Sequence, residues 1–319
     1  MKTLKALALG LALALAAPWA GAQGYPDRPV RMIVPFPPGS ATDLVARVVG
    51  QQLQAALGQA FVVDNKPGAG GSIAAGEVVR AAPDGYTLLF SSNSAVASNV
   101  ALLKNMPYDP LKDFSPIAGV AETALALMVK PSFPAKNLQE FIAYAKQRPG
   151  KLSAGYGSSS AQVNIAMLNK MAAIDTLAVP YKGIPLAVND VVGGTVDFTF
   201  VDLGNAMAQA KGGMLKPIAV SSNKRNALVP DWPTLSEVLP GYDVTAWFAV
   251  VGPANLPVPV VDKLHATIAK VLAQPESREK FATIGLVPMP MAPDRLKTFM
   301  ASEVVKWKRL VKEAGIQPE

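Results

Sequence analysis

Hydroxyl and glycine residues collect at two similar junctions, each between a strand-like run and a helical period. The first reads Pro35-Phe36-Pro37-Pro38-Gly39-Ser40-Ala41-Thr42-Asp43, and the second reads Gly155-Tyr156-Gly157-Ser158-Ser159-Ser160-Ala161-Gln162. A helix N-terminus presents backbone N–H groups that have no intrahelical acceptor, together with the positive end of the helix dipole. Each junction is therefore suited to an anion. Neither loop contains an arginine, so two such junctions facing each other would hold the ends of a small acid through N–H groups and hydroxyls. Ser40 and Asp43 also fit a capping box, in which both serve the helix rather than a ligand. A third hydroxyl-rich strand end, Ser91-Ser92-Asn93-Ser94, belongs to the first half of the chain. Ligands of open α/β sheets sit outside the carboxyl ends of the strands, which puts all three segments on one crevice. The residues expected along it are Phe36, Pro38, Gly39, Ser40, Ala41, Thr42, Asp43, Ser91, Ser92, Ser94, Tyr156, Gly157, Ser158, Ser159, Ser160, Gln162 and Asp202. Backbone N–H groups of Gly39–Thr42 and Gly157–Ser160 are expected to do the main work. Asp43 and Asp202, where they face the cleft, would accept from a ligand hydroxyl or amine or from a water. Phe36 and Tyr156 either wall the crevice or pack beneath their loops.

Other chemistries are poorly supplied. The chain has no cysteine and one histidine, His265, which removes thiol nucleophiles and Cys- or His-rich metal sites. His265 lies at the edge of an apolar helical face formed by Val261, Leu264, Ile268 and Val271, where a structural or solvated role is expected. A serine hydrolase using one of Ser158–Ser160 is the rival from another class, but it lacks a base and a G-x-S-x-G elbow. Gly68–Ser72 resembles a phosphate cradle only superficially. The G-x-x-x-x-G-K-[ST] pattern is absent, and the third glycine of G-x-G-x-x-G would fall on Ile73. No cofactor and no metal are expected. The formal charge of +7 is spread along the chain without a basic run interleaved with aromatics, so nucleic acid is not an expected partner.

The elements that must carry these loops are legible in outline. Lys2 and Lys5, the apolar run Ala6 to Ala17 and the small residues Ala20-Gly21-Ala22 have the layout of a secretory signal peptide cleaved after Ala22. The run is too short for the ~20 apolar residues of a membrane span, and the periplasm is the expected destination. Strands are predicted at Val30–Pro35, Phe61–Asp64, Thr87–Ser91, Leu125–Val129, Lys151–Tyr156, Thr195–Val201 and Lys216–Ser221. Helices are predicted at Thr42–Leu57, from Gly71 to near Arg80, at Leu138–Lys146, Ala161–Met171 and Pro259–Leu272, and from Pro293 to before Gly315. On the last of these, Leu296, Phe299, Met300, Trp307, Leu310 and Val311 keep the 3.6-residue period, with Glu303 as a polar exception. Strand–helix alternation that restarts in the second half predicts two α/β domains with parallel strands and boundaries near residues 122 and 245.

The chain also resembles the extracytoplasmic solute receptors of tripartite tricarboxylate transporters, the Bug proteins. The resemblance runs from Tyr25 to Ile316. It rests on Val34-Pro35-Phe36 with Gly39 and Asp43, on Asn65-Lys66-Pro67-Gly68-Ala69-Gly70-Gly71, and on Pro83-Asp84-Gly85-Tyr86-Thr87. Further blocks are Tyr108-Asp109 with Asp113-Phe114, Val179-Pro180-Tyr181-Lys182-Gly183, Gly193-Gly194 with Val196-Asp197, and Pro233-Thr234. It implies a type II-like two-domain periplasmic binding protein whose ligand cleft lies between domains joined by two crossing segments. Domain 1 would comprise residues 23–122 and 246–319, after the signal peptide of residues 1–22, and domain 2 residues 123–245. It further implies a monomer that binds a small carboxylate through loop backbone, hydroxyls and waters, then delivers it to integral membrane transporter subunits. A ligand sensor for a membrane receptor is the alternative with the same fold. Two departures stand out: the family's Gly-Gly before the first helix is Gly39-Ser40 here, and a usual histidine at the second junction is replaced by Gln162 or lost.

Overall fold

A computed structural model describes residues 24–318; the predicted signal peptide and its cleavage point lie outside the described residues. Two sheets organise the chain. Strands β1 (Val30–Val34), β2 (Phe61–Asn65) and β3 (Thr87–Ser92) run parallel. Their apolar runs suit a sheet covered on both faces, and Val30, Met32, Ile33, Leu88 and Leu89 are fully buried. Strands β4 (Phe114–Thr123), β10 (Ala246–Pro253) and β11 (Val287–Met291) complete this sheet in the order β11-β4-β10-β3-β1-β2. The second sheet holds β5 (Leu125–Val129), β6 (Leu152–Tyr156), β7 (Thr176–Pro180), β8 (Phe198–Asp202) and β9 (Lys216–Val220), in the order β7-β6-β8-β5-β9.

The expectation of parallel strands holds for only part of each sheet. β10 is antiparallel to β3 and β4, β11 to β4, and β5 to β8 and β9. The reason is connectivity. A parallel neighbour needs a helix-containing crossover from the same sheet, whereas β4 and β10 carry the chain between sheets. Only Ala124 separates β4 from β5, and β10 brings the chain back, with Ala246 paired to Thr123. The outgoing and returning strands are thus hydrogen-bonded neighbours. Downstream, Leu264, Ile268 and Leu272 of helix Val258–Ala273 pack in one cluster with Val45, Val49 and Leu53 of helix Ala41–Leu57.

Two boundaries move for local reasons. The strand expected at Thr195–Val201 begins at Phe198 and extends to Asp202, because the Thr195 and Val196 N–H groups close the preceding helix on the Asp190 carbonyl. The helix expected at Ala161–Met171 begins at Ser159, capped by Ser158. Glu303 proves to be a buried acceptor: its Oε2 receives the indole N–H of Trp247 at 2.7 Å and of Trp307 at 3.0 Å. That carboxylate pins the C-terminal helix Pro293–Glu313 to β10.

Candidate functional site

The two serine junctions fold into near-copies of one device. Ser40 caps helix Ala41–Leu57 by accepting the Asp43 N–H at 3.3 Å, and Ser158 caps helix Ser159–Ala172 by accepting the Ala161 N–H at 3.2 Å. The Leu44 and Gln162 N–H groups reach the carbonyls of Ser40 and Ser158. In each helix the first two N–H groups then remain open: among the described residues no chain acceptor meets those of Ala41, Thr42, Ser159 or Ser160. The Gly39 and Ser40 N–H groups are not available, since they donate to Asp43 Oδ2 and to the Pro37 carbonyl. The expected cradle of Gly39–Thr42 therefore narrows to Ala41 and Thr42.

Asp43 is turned into its own loop. Its carboxylate receives Gly39 N–H, Arg47 Nε at 3.0 Å and Asn65 Nδ2 at 2.9 Å, and it pairs with Arg47 Nη2 at 2.8 Å. Burial alone would raise its pKa, but the guanidinium, the Gly39 N–H and the Asn65 amide together hold it below the ordinary carboxylate value. Asp202 differs. It caps helix Leu203–Lys211, is buried, and accepts from the backbone N–H and Nδ2 of Asn205 at 3.4 and 2.9 Å. Burial without a cation lifts its carboxyl to about 6.

A narrow cavity of about 40 Å³ lies where these termini meet. Of the residues expected from sequence, Phe36, Ser40, Ala41, Thr42, Ser92, Gly157, Ser158, Ser160 and Asp202 line it. Thr123, Leu125, Ile184, Ala246 and Phe248 also line it, and sequence reasoning missed them. The apolar run Ala246–Pro253 was the available signal for two of these. A second, more open cavity of about 390 Å³ shares Phe36, Gly157 and Ser158 with the first and adds Tyr156, Ser159, Gln162 and Lys182. Pro38, Gly39, Asp43, Ser91 and Ser94 line neither. The Ser91 hydroxyl donates to the Ser92 carbonyl.

Several predicted residues instead join the two halves. Ser159 Oγ lies 2.7 Å from Ser94 Oγ and 2.6 Å from Ser98 Oγ, and Asn93 Nδ2 donates to Ser160 Oγ at 3.1 Å. Asn205 Nδ2 reaches the Gly39 carbonyl at 3.1 Å. Two glycines permit still closer approach. A Cβ on Gly183 would lie 2.4 Å from Pro37 Cδ, and one on Gly204 would lie 2.1 Å from the Ile284 carbonyl oxygen. The faces of the cleft are in contact.

Known proteins share this architecture. Residues 45–316 match the family described as tripartite tricarboxylate transporter family receptor. The chain is 36% identical to the protein BugT of Bordetella pertussis over 307 residues, covering 94% of this chain and 93% of that one. Among solved structures, a Rhodopseudomonas palustris protein with adipate superposes with a TM-score of 0.91 at 32% identity, covering 92% of this chain and all of the other. MatC from Rhodopseudomonas palustris with bound malate gives a TM-score of 0.85 at 34% identity, over 90% of this chain and all of the other.

Proposed function

This chain belongs to the tripartite tricarboxylate transporter receptor family, and from that premise we propose that it captures a small carboxylate in the periplasm and hands it to integral membrane transporter subunits. One observation carries the proposal. Two helix N-termini from opposite sheets, each capped by its own serine, bring residues with open N–H groups, Ala41, Thr42 and Ser160, to the lining of a cavity whose walls, among the described residues, hold no lysine, arginine or histidine. Buried N–H groups and hydroxyls bind an ionised carboxylate through charge-assisted hydrogen bonds without needing a fixed cation. Ala41 and Thr42 serve one side of the acid, Ser159 and Ser160 the other. The hydroxyls of Ser40, Ser92 and Ser158 add donors, and Phe36 with Phe248 gives an apolar wall. The larger adjoining cavity, with Gln162 and Lys182 on its lining, takes the remainder of the ligand. The solved relatives with adipate and malate make an aliphatic acid of that size the natural class.

In this reading the protein is a monomeric binding protein without catalysis. Ser159 meets other serines and Ser158 caps its helix, so among the described residues neither hydroxyl meets a base to activate it. Cleavage after Ala22 releases residues 23–319, with domain 1 formed by 23–122 and 246–319 and domain 2 by 123–245. The passage of the chain between sheets at Ala124 and its return at Ala246 support these limits. Among the described residues no helix is long and apolar enough to cross a membrane. Native mass spectrometry of freshly purified protein tests the function. The expected result is one small organic acid per chain, released unchanged on denaturation. A ligand without a carboxylate, or conversion of added acid to a new product, overturns it.

A further inference from the structure

Among the described residues, Asp202 is the one ionisable side chain on the wall of the small cavity. Its only side-chain partner among the described residues is the Asn205 amide, a neutral donor. Among the described residues, the elements packed around it bring no cationic side chain to the cavity wall. β5 places Leu125 opposite Asp202, and β4 ends there on Thr123. Helix Ala41–Leu57 has Asp43 in its first turn, but that carboxylate is held by Arg47 and Asn65. Helix Ser159–Ala172 contributes serines. Segment 284–285 approaches helix Leu203–Lys211 with backbone atoms. Glu122 and Asp243 line a separate surface cavity behind Thr123, and Lys182 lines the larger neighbouring cavity.

A ligand carboxylate in this cavity would therefore be a second anion beside a buried one that has no counter-cation. Two carboxylates in such a space do not both ionise; one keeps a proton. Of the four residues with open N–H groups, Ala41, Thr42 and Ser160 line this cavity and Ser159 lines the larger neighbour. The ligand is the favoured ionised partner because it meets N–H groups from two helix termini, whereas Asp202 meets one terminus, where it accepts from Asn205. We infer that the site takes up its carboxylate together with a proton, which Asp202 carries and through which it donates a hydrogen bond to the bound acid. This rests on the carboxylate function proposed above. Asp202 then selects ligands that present an acceptor oxygen at this point, and its titration sets the pH range of capture.

The sign follows from linkage. The free carboxyl titrates at about 6, and a bound anion raises it further, so the complex holds more protons than the free protein and affinity weakens as pH rises. Calorimetry with malate and adipate, between about pH 6.5 and about pH 8.5 where both acids stay ionised, reads this directly. The dissociation constant should rise about tenfold per pH unit, with about one proton taken up per ligand near pH 7 when two buffers of different ionisation heat are compared. In Asp202→Asn the slope and the proton uptake should both vanish. A flat profile in the wild-type protein, which needs no variant, overturns the inference, as does an unchanged slope in Asp202→Asn. If these acids and a panel of short aliphatic mono- and dicarboxylates all fail to bind even at the acid end, where coupling makes binding tightest, the carboxylate function itself falls, and the coupling with it.

Discussion

Ser40 and Ser158 each cap a helix and line the small cavity. The oxygen accepts a helix N–H, and under the proposed function the proton donates to the bound acid. Replacing either by alanine should lower stability by about 1 kcal/mol, the usual cost of losing such a cap, as read from urea midpoints. It should also weaken ligand binding by about 0.5–3 kcal/mol, read by calorimetry. Two buried carboxyls give opposite pH signatures. Asp43 is held below its ordinary value, so its contribution to stability is present above that value and is lost as pH falls through the lowered one. Asp43→Asn should cost about 2 kcal/mol at neutral pH, and the loss should shrink in urea titrations toward about pH 3. Asp202 lies above its ordinary value, so its contribution is present at acid pH and is lost as pH rises through about 6. Residue types marked both loops as glycine and hydroxyl clusters at strand–helix junctions, and spacing gave a cap only for Ser40 with Asp43; the helix capped by Ser158 begins two residues before the expected Ala161. Residue types and spacing could not identify Asn93, Ser98 or Phe248, whose roles depend on partners from the other half of the chain or on a strand that returns late.

At the scale of elements, local signals worked where the element was closed by its own neighbours. The strand Leu125–Val129 and the helix Leu138–Lys146 match their predicted bounds. β4 was not legible as a strand, and the apolar run of β10 signalled a strand without its partners. Pro116 interrupts the first, and each pairs with a segment more than a hundred residues away that no local period announces. The antiparallel half of each sheet was misread for the same reason. Glu303 shows how an exception to a pattern can be its anchor. It breaks the apolar stripe of the C-terminal helix, yet it satisfies two indole N–H groups, one of them on β10. Glu303→Ala should leave two buried donors unpaired and lower stability by about 3 kcal/mol. Glu303→Gln keeps an acceptor and should cost less, so the difference between the two urea midpoints measures the pinning itself.

For the molecule as a whole, ligand can favour the closed arrangement only by binding it better than an open one. Gly183 and Gly204 allow a direct test, because both approach the opposite half too closely for a Cβ. Gly204 sits in the first turn of a helix, where alanine is the better helix former, so Gly204→Ala should not harm either half. The variant should instead bind its acid at least tenfold more weakly, a penalty of about 1.4 kcal/mol or more. With saturating acid its scattering profile should remain expanded while the wild-type profile contracts. Scattering that is identical in both proteins would mean that the faces do not separate. The two strands that carry the chain between sheets are themselves paired, at Thr123 and Ala246. The connection is thus a paired crossing rather than two loose tethers. Thr123, Leu125, Ala246 and Phe248 put this crossing against the cavity. Under the proposed function, the acid would sit beside the segments that join the two sheets, so its width would bear directly on how far they close.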